Sequence, residues 1–115
     1  MMKLQTLVGL PTGTEILLYA PETILYCLGE GEYSYLVFEN GETGVHRVIL
    51  QRTIAQLESS LPNMFLRINE VCIVNTWQIK SLRHNNENTV LMSDGEEFRV
   101  IESKQVELMS RYLIL

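Results

Sequence analysis

Short runs in which apolar and polar residues alternate recur along most of the chain, and many of their apolar residues are β-branched or aromatic. A period of two is typical of strands with one buried face. The pattern predicts eight strands, at residues 15–19, 23–28, 33–39, 43–49, 66–74, 79–83, 89–92 and 96–101. Asn40-Gly41 and Asp94-Gly95 each separate two of these runs, and an Asx-Gly pair suits a two-residue hairpin turn. We therefore expect antiparallel pairing.

Two further stretches have apolar residues at helical spacing. The first covers residues 53–61, where Thr53 and Gln56 have the spacing of a capping box and Pro62 follows the last turn. The second covers residues 103–113, with Ser103 as its N-cap. Its apolar face consists of Val106, Met109 and Leu113. These patterns predict a mostly β fold of antiparallel β-sheets with two short helices. The residues expected to be buried are Ile54, Leu57, Leu61, Phe65, Leu66, Ile73, Val74, Val90, Phe98 and Val100.

The charge balance bears on the partners that the protein could bind. Nine Lys and Arg residues stand against fourteen Asp and Glu residues, which gives the 115-residue chain a net charge of −5. Nucleic-acid binding depends largely on Lys and Arg side chains that displace counterions from phosphates. The composition therefore disfavours nucleic acid as a partner unless the bases gather on one surface. Those in the middle of the chain are Arg47, Arg52, Arg67, Lys80 and Arg83.

Catalytic and metal-binding patterns do not stand out in the sequence. Cys27 and Cys72 lie far apart in apolar runs, which predicts small buried hydrophobic residues. His46 and His84 have no partner at metal-ligand spacing. We therefore expect no catalytic residue, no metal and no cofactor. Because no apolar run approaches the roughly 18 residues of a membrane span, and the start is a poor secretory signal, a cytoplasmic protein is expected.

Residues 65–75, FLRINEVCIVN, followed by Ile79, resemble the signature of the LytTR-type DNA-binding domain, which is approximately F-x-R-x-H-R/N-S-x-x-V-N-x-x-x-I. The match is carried by Phe65, Arg67, Val74 and Asn75. The flanking segments agree in order and spacing, since residues 24–26 resemble the opening strands of the family, residues 53–62 its short helix and residues 90–100 its closing hairpin. The resemblance covers almost the whole chain, from about residue 10 to residue 113.

The resemblance implies a mostly antiparallel β domain of a bacterial transcription regulator. Such domains contact double-stranded DNA through loops and strand ends that enter the major groove, often behind a receiver domain. Residues 1–115 are expected to form a single LytTR-like domain, with no receiver domain present. By resemblance, the DNA-facing positions are Tyr33, Asn69, Glu70, Glu102 and Lys104. The candidate phosphate contacts are Arg67 and Arg99.

Two of these positions depart from the family pattern in a way that affects binding. Glu70 replaces the usual Arg or Asn, and Glu102 replaces the usual Arg of the closing V-S-R motif. Glu can accept a hydrogen bond from cytosine N4, but two carboxylates near the phosphates oppose binding by repulsion. We therefore expect weakened affinity for DNA. For Arg67, an ion pair with Glu70 or another carboxylate is favoured over a phosphate contact, and Asn75 is interpreted as a turn or backbone-capping residue.

The alternative function is a diverged domain of the same fold that no longer binds DNA. Such a domain would act as a protein-interaction or self-association module, either as a homodimer or with a partner regulator protein. The candidate surface for association is the apolar end of the chain, Tyr112 to Leu115, which carries no charge after Arg111. No membrane partner is expected.

Overall fold

Ten strands and two α-helices make up the fold in a computed structural model, which describes residues 7–84 and 86–115. The strands are β1 (Val8–Pro11), β2 (Ile16–Tyr19), β3 (Ile24–Glu30), β4 (Tyr33–Asn40), β5 (Gly44–Leu50), β6 (Phe65–Arg67), β7 (Cys72–Asn75), β8 (Ile79–His84), β9 (Asn88–Met92) and β10 (Glu97–Arg99). The helices are α1 (Ile54–Ser60) and α2 (Glu102–Met109). Short 3₁₀ turns at Pro21–Thr23 and Thr76–Gln78 precede β3 and β8.

The strands form three sheets, and all of their pairings are antiparallel. A five-stranded sheet has the order β5-β4-β3-β7-β6, a three-stranded sheet has the order β10-β9-β8, and β1 pairs with β2 as a separate hairpin. This architecture confirms the predicted fold class. In the part of the chain described, no helix is long and apolar enough to cross a membrane.

Each face of the five-stranded sheet carries its own hydrophobic core. One core contains Val90 and Val100 of the closing hairpin together with Leu108 of α2. The other contains Leu10 of β1 and Leu57 of α1. Side chains alternate between the two faces of a strand. On β7, Val74 therefore packs in the first core and its neighbour Ile73 in the second. The sheet is therefore covered on both faces, and the ends of its strands remain available for function.

The first predicted helix and most of the predicted core are confirmed. Thr53 accepts a hydrogen bond from the backbone N–H of Gln56 (3.1 Å), and the Gln56 side chain accepts one from the N–H of Thr53 (2.9 Å), which completes the capping box.

Seven of the ten predicted core residues are buried, and Ile54, Leu61 and Phe98 are partly buried. Cys27 and Cys72 are also buried, as predicted, and burial raises the pKa of Cys27 to about 12.

Both Asx-Gly pairs lie in hairpins, but the loops are longer than the two residues predicted. Residues 41–43 separate β4 from β5, and Gly44 (φ 88°) adopts the left-handed conformation instead of Gly41. The Asn40 side chain accepts a hydrogen bond from the N–H of Glu42 (3.0 Å), so Asn40 forms an Asx turn. In the loop between β9 and β10, Gly95 is left-handed (φ 93°). The pairs mark the hairpins correctly but do not define the loop length.

The predicted strand at residues 66–74 is wrong, because the segment is a hairpin. β6 and β7 are separated by residues 68–71, and the Asn69 side chain accepts a hydrogen bond from the N–H of Val71 (2.9 Å). An Asn that bonds to backbone two residues ahead reverses the chain, although the surrounding residues are mostly apolar. β1 was also not predicted; it pairs with β2 over four residues.

The second helix differs from its prediction in both length and orientation. It ends at Met109, and Ile101 takes the N-cap position without a side-chain cap, in place of Ser103. Leu108 is the residue of α2 that is buried in the core, whereas Val106 and Leu113 are 82% and 88% exposed. Two of the three residues of the predicted apolar face therefore point outward, while the third, Met109, is partly buried. The core contacts of Leu108 set the rotation of the helix, and helical spacing alone does not reveal them.

The close approach of α1 to β3 depends on Gly29. A Cβ atom at Gly29 would lie 2.8 Å from the Cβ atom of Ile54 in α1. Because a Cβ atom has a position fixed by its backbone and cannot rotate away, we expect Gly29→Ala to lower the free energy of unfolding by about 1–3 kcal/mol. Urea denaturation followed by circular dichroism measures this loss. Gly13→Ala is the matched control, since a Cβ there meets nothing within 4 Å; equal stability of the two variants would contradict the close approach.

Candidate nucleic-acid interface

Three connecting segments meet at one end of the molecule, which we call the loop end. They are the β3–β4 turn (residues 31–32), the β6–β7 loop (residues 68–71) and the β10–α2 junction (residues 100–101). The N–H of Gly29 donates to the carbonyl of Val71 (2.7 Å), which places the β3–β4 turn beside the loop. The N–H of Ile101 donates to the carbonyl of Ile68 (2.9 Å), which places the junction beside it. These backbone bonds hold the loop end together.

Asn69 connects the β6–β7 loop to the closing strand. Its side chain is 8% exposed and donates a hydrogen bond to the carbonyl of Arg99 (2.8 Å), while its oxygen accepts from Val71. The nitrogen and the oxygen of the Asn69 side-chain amide are therefore both hydrogen-bonded within the protein. The contact that Asn69 makes with β10 brings Glu70 next to Arg99, so Asn69 positions the loop end whatever else it contacts.

Arg67 supports the same loop from β6. Its guanidinium donates to the carbonyl of Asn69 (3.3 Å) and to the carbonyl of Glu70 (2.7 Å), and it forms an ion pair with Glu58 of α1 (3.1 Å). The predicted carboxylate partner therefore exists, and it is Glu58. Sequence reasoning did not identify Glu58, because the pair joins a helix to a strand and follows no local spacing. Surface pairs of this kind contribute little stability, but the two carbonyl contacts fix the loop.

Glu70 and Arg99 form an ion pair across the loop end. The carboxylate and the guanidinium are 3.1 Å apart, and both side chains are largely exposed. The pKa of Glu70 is lowered below its usual value, first by its own backbone N–H and then by Arg99. Glu70 therefore stays negatively charged at neutral pH, and its charge offsets that of Arg99.

The remaining predicted positions surround this pair without touching it. Glu102 is the exposed first residue of α2, three residues after Arg99. Lys104 follows two residues later in α2, and its ammonium group is 3.7 Å from the Glu107 carboxylate. Tyr33 begins β4 opposite Glu30 of β3, and 39% of its surface is exposed. The structure thus brings Asn69, Glu70 and Arg99 into direct contact. Glu102 is close to Arg99 in the chain, and Tyr33 directly follows the neighbouring β3–β4 turn.

The charge at the loop end is dominated by carboxylates. Three bases at the loop end, Arg67, Arg99 and Lys104, are each paired with a glutamate, in two cases at 3.1 Å and in the third at 3.7 Å. A fourth base, Arg52, lies beside the start of β4, where its carbonyl accepts a hydrogen bond from the Ser34 hydroxyl (2.8 Å). The acidic residues at or beside the loop end are Glu30, Glu32, Glu70, Glu87 and Glu102. Among the described residues, no group of three or more His, Cys, Asp or Glu side chains is placed to hold a metal ion.

Asn75, the other polar residue of the signature, lies at the opposite end of β7 from the loop. It is fully buried, and its side chain donates to the carbonyls of Pro21 (3.2 Å) and Ile24 (2.8 Å) and accepts from the N–H of Trp77 (2.9 Å). The backbone-capping role predicted for Asn75 is confirmed. This residue of the motif belongs to the scaffold and lies away from the loop end.

An antiparallel β fold whose connecting loops gather at one end is the architecture that the signature in residues 65–79 implied. The family model described as the LytTr DNA-binding domain matches residues 14–112, and the chain belongs to this family. Its fold is similar to that of the LytTr DNA-binding domain of a Bacillus cereus protein described as a methyl-accepting/DNA response regulator. The two are 20% identical, with a TM-score of 0.68 over 92% of this chain and 95% of the other. No curated protein sequence matches the chain significantly.

Proposed function

We propose that residues 1–115 act as one LytTR domain of a bacterial transcription regulator, without catalytic activity of its own, and bind duplex DNA through the loop end. Membership of a DNA-binding family supports the ligand. We choose the loop end as the DNA-binding surface because Asn69, Glu70 and Arg99 contact one another there. All three positions are assigned to DNA by resemblance. A chromosomal target implies the cytoplasm as the compartment.

In this proposal, loops and strand ends enter the major groove, Arg67 and Arg99 contact phosphates, and Lys104 faces the DNA. Arg99 must then exchange Glu70 for a phosphate, which leaves the Glu70 carboxylate unpaired beside the DNA. Repulsion of that charge by phosphates extends over a Debye length of about 10 Å at 0.1 M salt. Glu102 adds a second negative charge at the start of α2. Binding is therefore expected to be weak and to depend only shallowly on salt, since few phosphates are neutralised.

Substitution of Arg99 tests the proposed surface. Arg99→Gln should weaken binding to a generic duplex about tenfold at low salt and reduce the salt slope by about one, because one phosphate contact is lost. Fluorescence anisotropy with a labelled duplex at several salt concentrations measures both quantities. Arg111→Gln is the matched control: Arg111 is also paired with a glutamate (3.8 Å to Glu107), but it follows the C-terminal end of α2.

The two variants separate the possible outcomes. An equal loss in Arg111→Gln would mean that DNA binds elsewhere or without a defined surface. If the wild-type protein does not bind any duplex at low salt, the DNA-binding proposal fails and the protein-interaction alternative is favoured. Circular dichroism of both variants ensures that lost binding does not reflect lost folding.

The second candidate function is that of a protein-interaction or self-association module, as a homodimer or with a partner regulator. The observation that favours it is a set of exposed apolar side chains on and after α2. These are Val106 (82% exposed), Leu113 (88%), Ile114 (58%) and Leu115 (fully exposed). Three of these four residues are consecutive in the chain, and contiguous apolar exposure is typical of interaction surfaces.

A further inference from the structure

Arg52 is an exposed base at the loop end that has no carboxylate partner. In residues 7–84 and 86–115, the bases that form ion pairs are Arg67, Arg83, Arg99, Lys104 and Arg111. Within these ranges Arg47, Arg52 and Lys80 form none, and the residues outside them include no Asp or Glu. The Arg52 guanidinium donates a hydrogen bond to the neighbouring carbonyl of Gln51 (3.2 Å). Its charge is therefore available to an anionic ligand.

A row of hydrogen-bonded partners across the sheet places Arg52 at the loop end. Arg52 follows β5 by two residues, and its carbonyl accepts from the hydroxyl of Ser34, which is fully buried in β4. Ser34 is paired with Gly29 of β3, and the N–H of Gly29 donates to the carbonyl of Val71 in the β6–β7 loop. Arg52 is thus fixed at the same level of the sheet as that loop.

The other two bases without a carboxylate partner lie away from the loop end. Arg47 is opposite Val37 in the middle of the sheet, and its guanidinium lies over the ring of Tyr35, 4.6 Å from the centroid. Lys80 belongs to β8, which follows the end of β7 opposite to the loop. Arg52 is therefore the one unpaired base that the described part of the chain places at the loop end.

The acids of the β3–β4 turn do not neutralise Arg52. Because side chains alternate along a strand, Ser34 and Tyr35 point to opposite faces of the sheet. Glu30 lies on the face of Tyr35, since a hydrogen bond with Glu30 raises the pKa of Tyr35. Ser34, which holds Arg52, points to the other face. Neither Glu30 nor Glu32 forms an ion pair with Arg52.

Arg52 and Arg99 lie on opposite sides of the loop end. The sheet order puts three strand spacings between β5, which leads to Arg52, and β7. At about 4.8 Å each, these spacings amount to about 14 Å. Arg99 is paired with Glu70 in the loop that precedes β7. Because the major groove is about 12 Å wide, loops that enter it between these two arginines leave one of them near each of the bordering phosphate chains.

We propose that Arg52 is a further phosphate contact of this domain, on the strand across the major groove from the one that Arg99 contacts. The inference rests on the proposed function of the loop end. A guanidinium binds phosphate by charge-assisted, often bidentate hydrogen bonds. Arg99 must give up Glu70 to do so, whereas Arg52 has no carboxylate to give up. Arg52 therefore contributes at least as much as Arg99 to the affinity of the wild-type protein.

Anisotropy titrations of the whole chain with a labelled generic duplex at several salt concentrations test this contact. Arg52→Gln should weaken binding about tenfold or more at low salt and reduce the salt slope by about one. Arg52→Lys keeps the charge and should retain most of the slope, but it loses affinity because Lys cannot bind bidentately. Arg47→Gln is the matched control, because Arg47 is also exposed and without a carboxylate but lies in the middle of β5; it should bind nearly as the wild type does.

A change at Glu70 distinguishes the two arginines. Glu70 is paired with Arg99 and not with Arg52. The loss caused by Arg52→Gln should therefore be the same factor in the wild type and in a Glu70→Asn background, whereas the loss caused by Arg99→Gln should be larger in that background. A loss from Arg52→Gln that grows in the Glu70→Asn background would contradict the independence of Arg52 from this ion pair.

The inference and the proposed function fail in different ways. If Arg99→Gln weakens binding and Arg52→Gln does not, Arg52 does not contact DNA, and the loop end remains the binding surface. Equal losses in Arg52→Gln and Arg47→Gln would show a response to net charge and would overturn the contact. If the wild-type protein binds no duplex at low salt, the proposed function itself fails, and the Arg52 contact is overturned with it. Circular dichroism confirms that each variant is folded, and Arg52→Lys decides if Arg52→Gln is not.

Discussion

Asn75→Ala is expected to lower the free energy of unfolding by about 3 kcal/mol or more. The wild-type side chain makes three hydrogen bonds in a fully buried position. The variant leaves the carbonyl of Ile24 and the N–H of Trp77 without this partner, whereas the carbonyl of Pro21 still accepts from the N–H of Ile24. Each buried polar group that loses its partner costs about 1–3 kcal/mol. Small domains are stable by only about 5–15 kcal/mol, so this one amide accounts for a large fraction of the total.

Urea denaturation followed by circular dichroism measures the loss, because Trp77 itself touches the substituted site and is unsuitable as a probe. Asn40→Ala is the matched control. Asn40 is exposed and makes one side-chain bond, to the N–H of Glu42, so its removal should cost about 1 kcal/mol or less. A loss below about 1 kcal/mol in Asn75→Ala would show that water replaces the amide and that the side chain does not hold the 3₁₀ turns against the sheet.

Short-range chemistry explains which parts of the fold could be predicted from the sequence. The capping box needs only Thr53 and Gln56, and both of its hydrogen bonds close within one turn. Asn75 was interpreted correctly because Asn readily bonds to nearby backbone, and one of its bonds does reach Trp77 two residues ahead. Its two other partners, Pro21 and Ile24, come from a distant part of the chain, and no local sequence pattern indicates them.

The elements that were predicted wrongly depend on contacts between distant segments. In α2, Val106 and Leu108 are both apolar, and only the core formed by the two sheets decides that Leu108 is buried. The β6–β7 loop interrupts an apolar run because Asn69 bonds to the carbonyl of Arg99, thirty residues away, as well as to its own loop. Periodicity describes each segment alone and cannot include such partners.

The candidate site was likewise predictable only where it depends on local sequence. The motif identified the segment around Glu70, and the resemblance placed Glu102 and Arg99 with it. The ion pair between Glu70 and Arg99 and the pair between Arg67 and Glu58 became visible only in three dimensions. These pairs change the interpretation of the carboxylates: Glu70 not only repels phosphates but also occupies the base that would bind one.

The double substitution Glu70→Asn and Glu102→Arg should therefore raise the affinity for a generic duplex by about tenfold to a hundredfold at low salt. It restores donors of the types that the family carries, and an Arg that reaches guanine is worth about 1–3 kcal/mol of discrimination. It also frees Arg99 from its carboxylate. Because each additional neutralised phosphate adds about 0.9 to the salt slope, the slope should become steeper by roughly one to three. Anisotropy titrations at several salt concentrations measure both changes.

A control variant with the same change in net charge shows whether the gain in affinity depends on where the charges lie or only on the net charge. Glu39→Asn with Glu42→Arg alters two exposed carboxylates at the β4–β5 hairpin, which is the opposite end of β4 from Tyr33. If binding were a response to net charge, both double variants would gain equally, and the loop end would have no special role. The role of Arg99 can be isolated as well, since Glu70→Asn should gain less affinity in an Arg99→Gln background than in the wild type. An equal gain in both backgrounds would mean that Glu70 acts by repulsion alone and that its pair with Arg99 does not hinder binding.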